Sequence, residues 1–131
     1  MPEIPVGGMI ASDALSAVNL MDVLAYDAPF PDNNYKAGVR CFPQLVPVTP
    51  EMDGVELGKR SREFWSNEWS GDSFMAIGMR DRVLGEGPME NLRNIIRNCP
   101  EALKVDEAGH FVQEYGEDIA KSALQYFGIA N

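Results

Sequence analysis

The sequence is poor in the residues that metal centres and disulfide frameworks need. It has one histidine, His110, and two cysteines, Cys41 and Cys99. These are too few for a Cys/His zinc site or a network of disulfides. We therefore expect two reduced thiols, as is usual in a cytoplasmic protein, and no metal site.

Basic residues and long apolar runs are also scarce. The chain of 131 residues has 11 basic and 20 acidic side chains, a net charge of −9. Nucleic acids and anionic membrane surfaces bind basic patches, so the charge argues against both partners. No stretch reaches the ~20 apolar residues of a membrane span, and the first residues lack the pattern of a signal peptide. We expect a protein of the cytoplasm that contacts neither nucleic acid nor membrane.

Prolines interrupt the first half of the chain, where seven of the nine occur at or before position 50. Because proline breaks a helix interior, the helices of this half should be short. Ser12 or Asp13 is a candidate N-cap for a helix that runs to about Tyr26. A second short helix is expected over about 34–42.

The second half alternates between strand and helix patterns. The apolar run 73–79 is typical of a strand that is buried on both faces, and 102–106 is a second candidate strand. Helices are expected over about 88–97 and 113–127, the latter with apolar residues at helical spacing. This order predicts an α/β fold with a parallel strand pair joined by a crossover helix. Two central strands are too few for a sheet, so the half resembles the end of a larger α/β domain.

An acid and the histidine follow the two predicted strands. Asp81 comes just after the first strand and His110 just after the second. Functional groups collect at the carboxyl ends of parallel strands, so these side chains can meet. A carboxylate that accepts a hydrogen bond from one imidazole nitrogen fixes the tautomer and leaves the other nitrogen free as a general base. Spacing alone does not decide between this functional pair and the alternative, an aspartate that belongs to a turn and a histidine with a structural role.

Several local phrases carry a resemblance to a known family, and they run through nearly the whole chain. They are Ala25–Asp32 (AYDAPFPD), Tyr35–Arg40 (YKAGVR), Phe42-Pro43, Phe64-Trp65, Phe74–Asp81 (FMAIGMRD), Asn98–Pro100 (NCP) and Gly109–Glu114 (GHFVQE). Together these phrases resemble haloalkane dehalogenases of the α/β-hydrolase superfamily, in the later part of the cap and the C-terminal end of the core. The resemblance implies that residues 1–50 are the later part of a helical cap domain. Residues 51–131 are then the last two strand–helix units of the parallel core sheet.

The resemblance also implies a reaction. An aspartate nucleophile displaces halide from carbon and forms an alkyl-enzyme ester, and His110, oriented by Asp81, activates the water that cleaves it. The substrates are then a small apolar haloalkane and water, the products are an alcohol, a halide and a proton, and no cofactor or metal is needed. The implied apolar wall of the substrate pocket consists of Phe42, Pro43, Val46, Val83 and Leu84. Without the resemblance, these five residues read equally well as core packing.

The nucleophile of this reaction has no counterpart in the sequence. The family carries it on a strand-to-helix elbow upstream of the cap, and no G-x-D-x-G or G-x-S-x-G pattern occurs in the 131 residues. Gly71-Asp-Ser-Phe is not such an elbow, because it precedes a strand. Trp65 and Trp69 invite a halide-binding role, but their position before the acid-bearing strand favours packing. We expect the chain to be inactive alone and to need the N-terminal half of the hydrolase.

Two alternatives stay open at this point. One is a related hydrolase of the same fold, either a serine esterase or an epoxide hydrolase; for the latter, Tyr26 and Tyr35 of the cap region would activate the epoxide oxygen. The other is a non-catalytic remnant or interaction module, which would expose apolar surface and an unpaired sheet edge.

Overall fold

The computed structural model describes residues 3–14 and 17–129. Six α-helices and two β-strands follow one another in these two ranges, with short 3₁₀ and π turns between them. The elements are α1 (Val6–Ala14), α2 (Leu20–Asp27), α3 (Ala37–Cys41), α4 (Val55–Glu63), β1 (Ala76–Gly78), α5 (Glu86–Ile95), β2 (Leu103–Val105) and α6 (Gly116–Tyr126).

The single helix predicted from Ser12 or Asp13 to about Tyr26 is wrong. Both candidate caps lie inside α1, and residues 15 and 16 of the predicted helix lie outside the described ranges. A new helix, α2, begins after Asn19, whose extended backbone and side chain form a capping box with Asp22. The Asn19 N–H donates to the Asp22 carboxylate over 2.9 Å. Reciprocal capping of this kind favours the start of a helix. The spacing of the apolar residues did not reveal this start, because a capping box consists of polar groups.

α1 and α2 pack closely against each other. The Gly7 N–H donates to Asp27 Oδ1 over 3.0 Å, and a Cβ on Gly7 would lie 2.2 Å from the carbonyl oxygen of Val23. Only glycine permits this approach. Lys36, which directly precedes α3, is buried and donates to the carbonyl of Ile4 over 2.7 Å. This bond connects the start of α3 to the residues that precede α1.

β1 and β2 form a parallel pair, as the sequence predicted. Ala76 lies opposite Leu103, and Gly78 lies opposite Val105. α5 connects the two strands and contacts β1. The strands are shorter than the segments predicted for them, 73–79 and 102–106, but each lies within its segment.

Few apolar side chains are buried. Within the described ranges they are Ile10, Met75, Ile77 and Ala108. The chain exposes 9402 Å², whereas a compact monomer of 14.5 kDa is expected to expose about 6,900 Å². Among the described residues, no helix combines the length and apolarity that crossing a membrane requires.

Candidate active site

The loops that follow β1 and β2 meet through their backbones. The Met79 N–H donates to the carbonyl of Val105 over 3.1 Å, and the Arg80 N–H donates to the carbonyl of Ala108 over 2.9 Å. A Cβ on Gly78 would lie 2.4 Å from the carbonyl oxygen of Gly109. Because Gly78 has no side chain, the second loop can pack directly on the end of β1.

This packing brings Asp81 and His110 together. His110 Nδ1 lies 3.0 Å from Asp81 Oδ2. The Asp81 side chain is 9% exposed and the His110 side chain is 36% exposed. A carboxylate is therefore buried behind an imidazole whose outer part faces solvent, the order required if the acid orients the ring and the ring does the chemistry.

Asp81 is also held by its own loop. Its Oδ1 accepts hydrogen bonds from the Val83 N–H over 2.7 Å and from the Leu84 N–H over 2.9 Å. Burial raises the pKa of Asp81, but the hydrogen bonds from Leu84, His110 and Val83 outweigh burial, and the net pKa lies below the usual value of an aspartate. Asp81 is thus ionised at neutral pH and can only accept.

The tautomer of His110 follows from that charge. With an ionised carboxylate at 3.0 Å, Nδ1 must carry the proton and donate it to Asp81. The other ring nitrogen, Nε2, then keeps its lone pair and can take a proton from water. The ring edge of His110 packs against Phe111, with ring centroids 5.4 Å apart.

A small concavity of about 170 Å³ opens in front of the pair. Its lining is Ala76, Ile77, Gly78, Asp81, Leu84, Met89, Gly109, His110 and Val112. Of the five residues predicted to form the apolar wall, Leu84 belongs to this lining. Val83 is exposed beside it, and Phe42, Pro43 and Val46 lie on the exposed surface of the cap segment. Their role in substrate binding stays a prediction.

Two contacts beside His110 were not foreseen from the sequence. Asp13 Oδ2 accepts a hydrogen bond from the Phe111 N–H over 3.0 Å, and the Tyr26 hydroxyl donates to the Glu114 carboxylate. Each joins residues more than 80 positions apart, and no local pattern signals such a pairing. The bond to Glu114, the largest of several effects, raises the pKa of Tyr26. The proton of this hydroxyl is therefore engaged with Glu114.

The two tryptophans pack on each other. The rings of Trp65 and Trp69 lie 5.0 Å apart, edge to face, and the indole N–H of Trp69 donates to Ser73 Oγ over 2.9 Å. Trp69 is thus engaged within its own segment. The described ranges contain no group of three His, Cys, Asp or Glu side chains placed to hold a metal ion.

No family model matches the chain. The curated proteins and the solved structure described next are all haloalkane dehalogenases. Haloalkane dehalogenases from Mycobacterium marinum and Psychrobacter cryohalolentis are 31% and 33% identical to it over 128 residues, which are 95% and 96% of this chain. The tetrameric structure of a haloalkane dehalogenase from Paraglaciecola agarilytica NO2 matches 95% of the chain with a TM-score of 0.91 and 59% identity.

The match covers part of each relative. The chain spans 42% of the length of the two curated relatives and 42% of the chain in the solved structure. The matched portion is the C-terminal part of the solved structure. The chain is therefore a relative of the haloalkane dehalogenases and corresponds, in sequence and in fold, to the C-terminal part of these α/β-hydrolases.

Proposed function

We propose that the chain supplies the general base and its orienting acid to a haloalkane dehalogenase site, which hydrolyses carbon–halogen bonds to alcohol and halide. The observation that carries this proposal is the pair of His110 Nδ1 and Asp81 Oδ2, 3.0 Å apart at the carboxyl ends of two parallel strands. Residues 1–50 would form the later part of the cap, and residues 51–131 the end of the core.

The reaction has two steps. In the first, an aspartate carboxylate from the N-terminal part of the fold forms a C–O bond to the substrate carbon as the C–halogen bond breaks. In the second, water attacks the carbonyl carbon of the resulting ester and loses one proton to His110 Nε2. The C–O bond to the alkyl oxygen then breaks, and this oxygen takes the second proton of the water and leaves as the alcohol, which restores the aspartate carboxylate. Asp81 stabilises the imidazolium that forms, and release of its proton returns the site to its first state. Neither step needs a metal or an organic cofactor.

The substrate expected is a small apolar haloalkane. The concavity around His110 is lined mainly by apolar groups, including Ile77, Leu84 and Met89. An apolar lining favours a haloalkane chain and removes water from the nucleophile. The exposed side chains of Phe42, Pro43, Val46 and Val83 would complete the wall once the rest of the fold covers them.

Activity should need both parts of the fold. The test joins this chain to the N-terminal part of the Paraglaciecola agarilytica dehalogenase, in place of the C-terminal part that it matches; we call this protein the joined enzyme. We expect halide release from a 1-haloalkane by the joined enzyme and none by the 131-residue chain alone.

A matched pair of variants tests the residue assignment. His110→Ala should abolish steady-state turnover of the joined enzyme, because the ester is no longer hydrolysed. Asp106→Asn, at an exposed acid of the same loop, should leave turnover unchanged. Turnover by the chain alone, or normal turnover by His110→Ala, would overturn the proposal. Hydrolysis of an epoxide or a carboxylic ester in place of the haloalkane would favour the other hydrolases of this fold.

A further inference from the structure

α1 contacts the backbone of the two residues next to His110 in the sequence, Gly109 and Phe111. Asp13 Oδ2 accepts a hydrogen bond from the Phe111 N–H over 3.0 Å, across 98 positions of sequence. On the other side, a Cβ on Gly109 would lie 2.4 Å from Asp13 Oδ2 and 2.7 Å from the Asp13 carbonyl oxygen. The Asp13 side chain thus lies directly against the backbone of both neighbours of His110.

The imidazole has few other restraints, which are one hydrogen bond to Asp81 and the packing of its ring on Phe111. The bond from Nδ1 to Asp81 fixes one ring atom, but the ring can still pivot about that bond and move Nε2. His110 is partly exposed, so surrounding side chains restrain it only in part. A backbone held at both 109 and 111 limits the pivot, and an error of about 1 Å in such a group can cost about 100-fold in rate.

We propose that Asp13 is a positioning residue for the general base: by holding the backbone at Gly109 and Phe111, it fixes the direction in which His110 Nε2 points. This inference rests on the proposed function of His110. It places a residue that affects catalysis on α1, outside the loops that carry Asp81 and His110. What the contact requires is a hydrogen-bond acceptor at this point, which asparagine also offers.

The kinetic test separates positioning from folding. In the joined enzyme, a single-turnover experiment measures the burst of halide, which needs the nucleophile, and the hydrolysis of the ester, which needs His110. We expect Asp13→Ala to slow ester hydrolysis by about 10-fold to 100-fold with the halide burst unchanged in rate and amplitude. Asp13→Asn should hydrolyse within about 2-fold of the parent, because its carbonyl oxygen can accept the same N–H.

Ser12→Ala is the matched control. Ser12 is exposed on the same turn of α1, and its hydroxyl donates to the Met9 carbonyl within the helix. This variant should behave as the parent does. A purely structural role for Asp13 predicts a different pattern, a smaller halide burst with an unchanged hydrolysis rate. That pattern, or an Asp13→Ala enzyme with parental hydrolysis, would overturn the proposal.

A second readout does not depend on the reaction. Because His110 is the one histidine of the chain, its imidazole nitrogens give an unambiguous ¹⁵N spectrum in the 131-residue protein. Because Asp81 sets the tautomer, we expect the Nδ1-protonated form in the parent, in Asp13→Asn and in Asp13→Ala. We expect a broadened and shifted Nε2 resonance in Asp13→Ala alone, because a ring that pivots about the bond to Asp81 samples more than one environment. Identical spectra for the parent and Asp13→Ala would contradict the positioning role. If the joined enzyme released no halide, the proposed function would fail, and these spectra would still decide whether Asp13 positions the ring.

Discussion

The carboxylate of Asp81 is buried yet held in its charged form. Burial alone would favour the protonated acid, but two backbone N–H groups and His110 donate to the carboxylate and lower its pKa below the ordinary value. The two backbone bonds also fix the position of the carboxylate to which His110 Nδ1 donates. The charge and the position of the acid therefore have one cause, the loop that follows β1.

The lowered pKa of Asp81 makes a prediction about stability. A carboxyl group whose pKa is lower in the folded state than in the unfolded state stabilises the fold above its unfolded pKa of about 3.9, and this contribution is lost as the pH falls through the folded pKa. The difference in free energy of unfolding between the parent and Asp81→Asn should thus shrink as the pH falls below about pH 5. Urea unfolding of both proteins over a pH series measures it; a difference that stayed constant in acid would contradict the account.

The site depends on how closely the loops after β1 and β2 approach each other. Glycine at position 78 allows the backbone of Ala108 and Gly109 to lie against the end of β1, where a Cβ would be 2.8 Å and 2.4 Å from their carbonyl oxygens. Both carbonyl oxygens belong to the backbone, so a Cβ at position 78 would force the loop of His110 to move.

Two glycine substitutions test this packing. Gly78→Ala should lower the free energy of unfolding by about 1–3 kcal/mol, because it overpacks a tight contact. Gly58→Ala, in the exposed interior of α4 with no atom within 4 Å of the new Cβ, should raise it by about 0.5–1 kcal/mol through helix propensity. Chemical unfolding measures both. A Gly78→Ala protein as stable as its parent would show that the loops do not pack as described.

The sequence predicted the elements better than the contacts between them. The apolar run 73–79 located β1, because a strand that is largely buried leaves a strong local pattern. The candidate strand 102–106 contains β2, and the parallel pairing of the two strands is confirmed. The start of α2 was missed because a capping box depends on a few polar atoms. The contact between Asp13 and Phe111 joins residues 98 positions apart, so it could not be read from spacing. The meeting of Asp81 and His110 could be anticipated, because parallel strands bring their carboxyl ends to one edge.

The whole molecule exposes more surface than its mass predicts. Its 9402 Å² exceeds the value for a compact monomer of this size by about 2,500 Å². Large apolar side chains contribute to the excess, among them Phe42, Leu45 and Val48, each at least 69% exposed. The relatives, of which this chain matches 42% of the length, suggest what covers such a surface. We expect the N-terminal part of the hydrolase fold to pack there and to bring the nucleophile to His110.

The most direct test is the intact mass of the joined enzyme carrying His110→Ala after it reacts with a 1-haloalkane. We expect one added alkyl group per protein, retained because the ester forms and is not hydrolysed, while the parent joined enzyme returns to its unmodified mass. A His110→Ala protein that releases halide continuously and carries no added mass would contradict the claim that His110 is the general base.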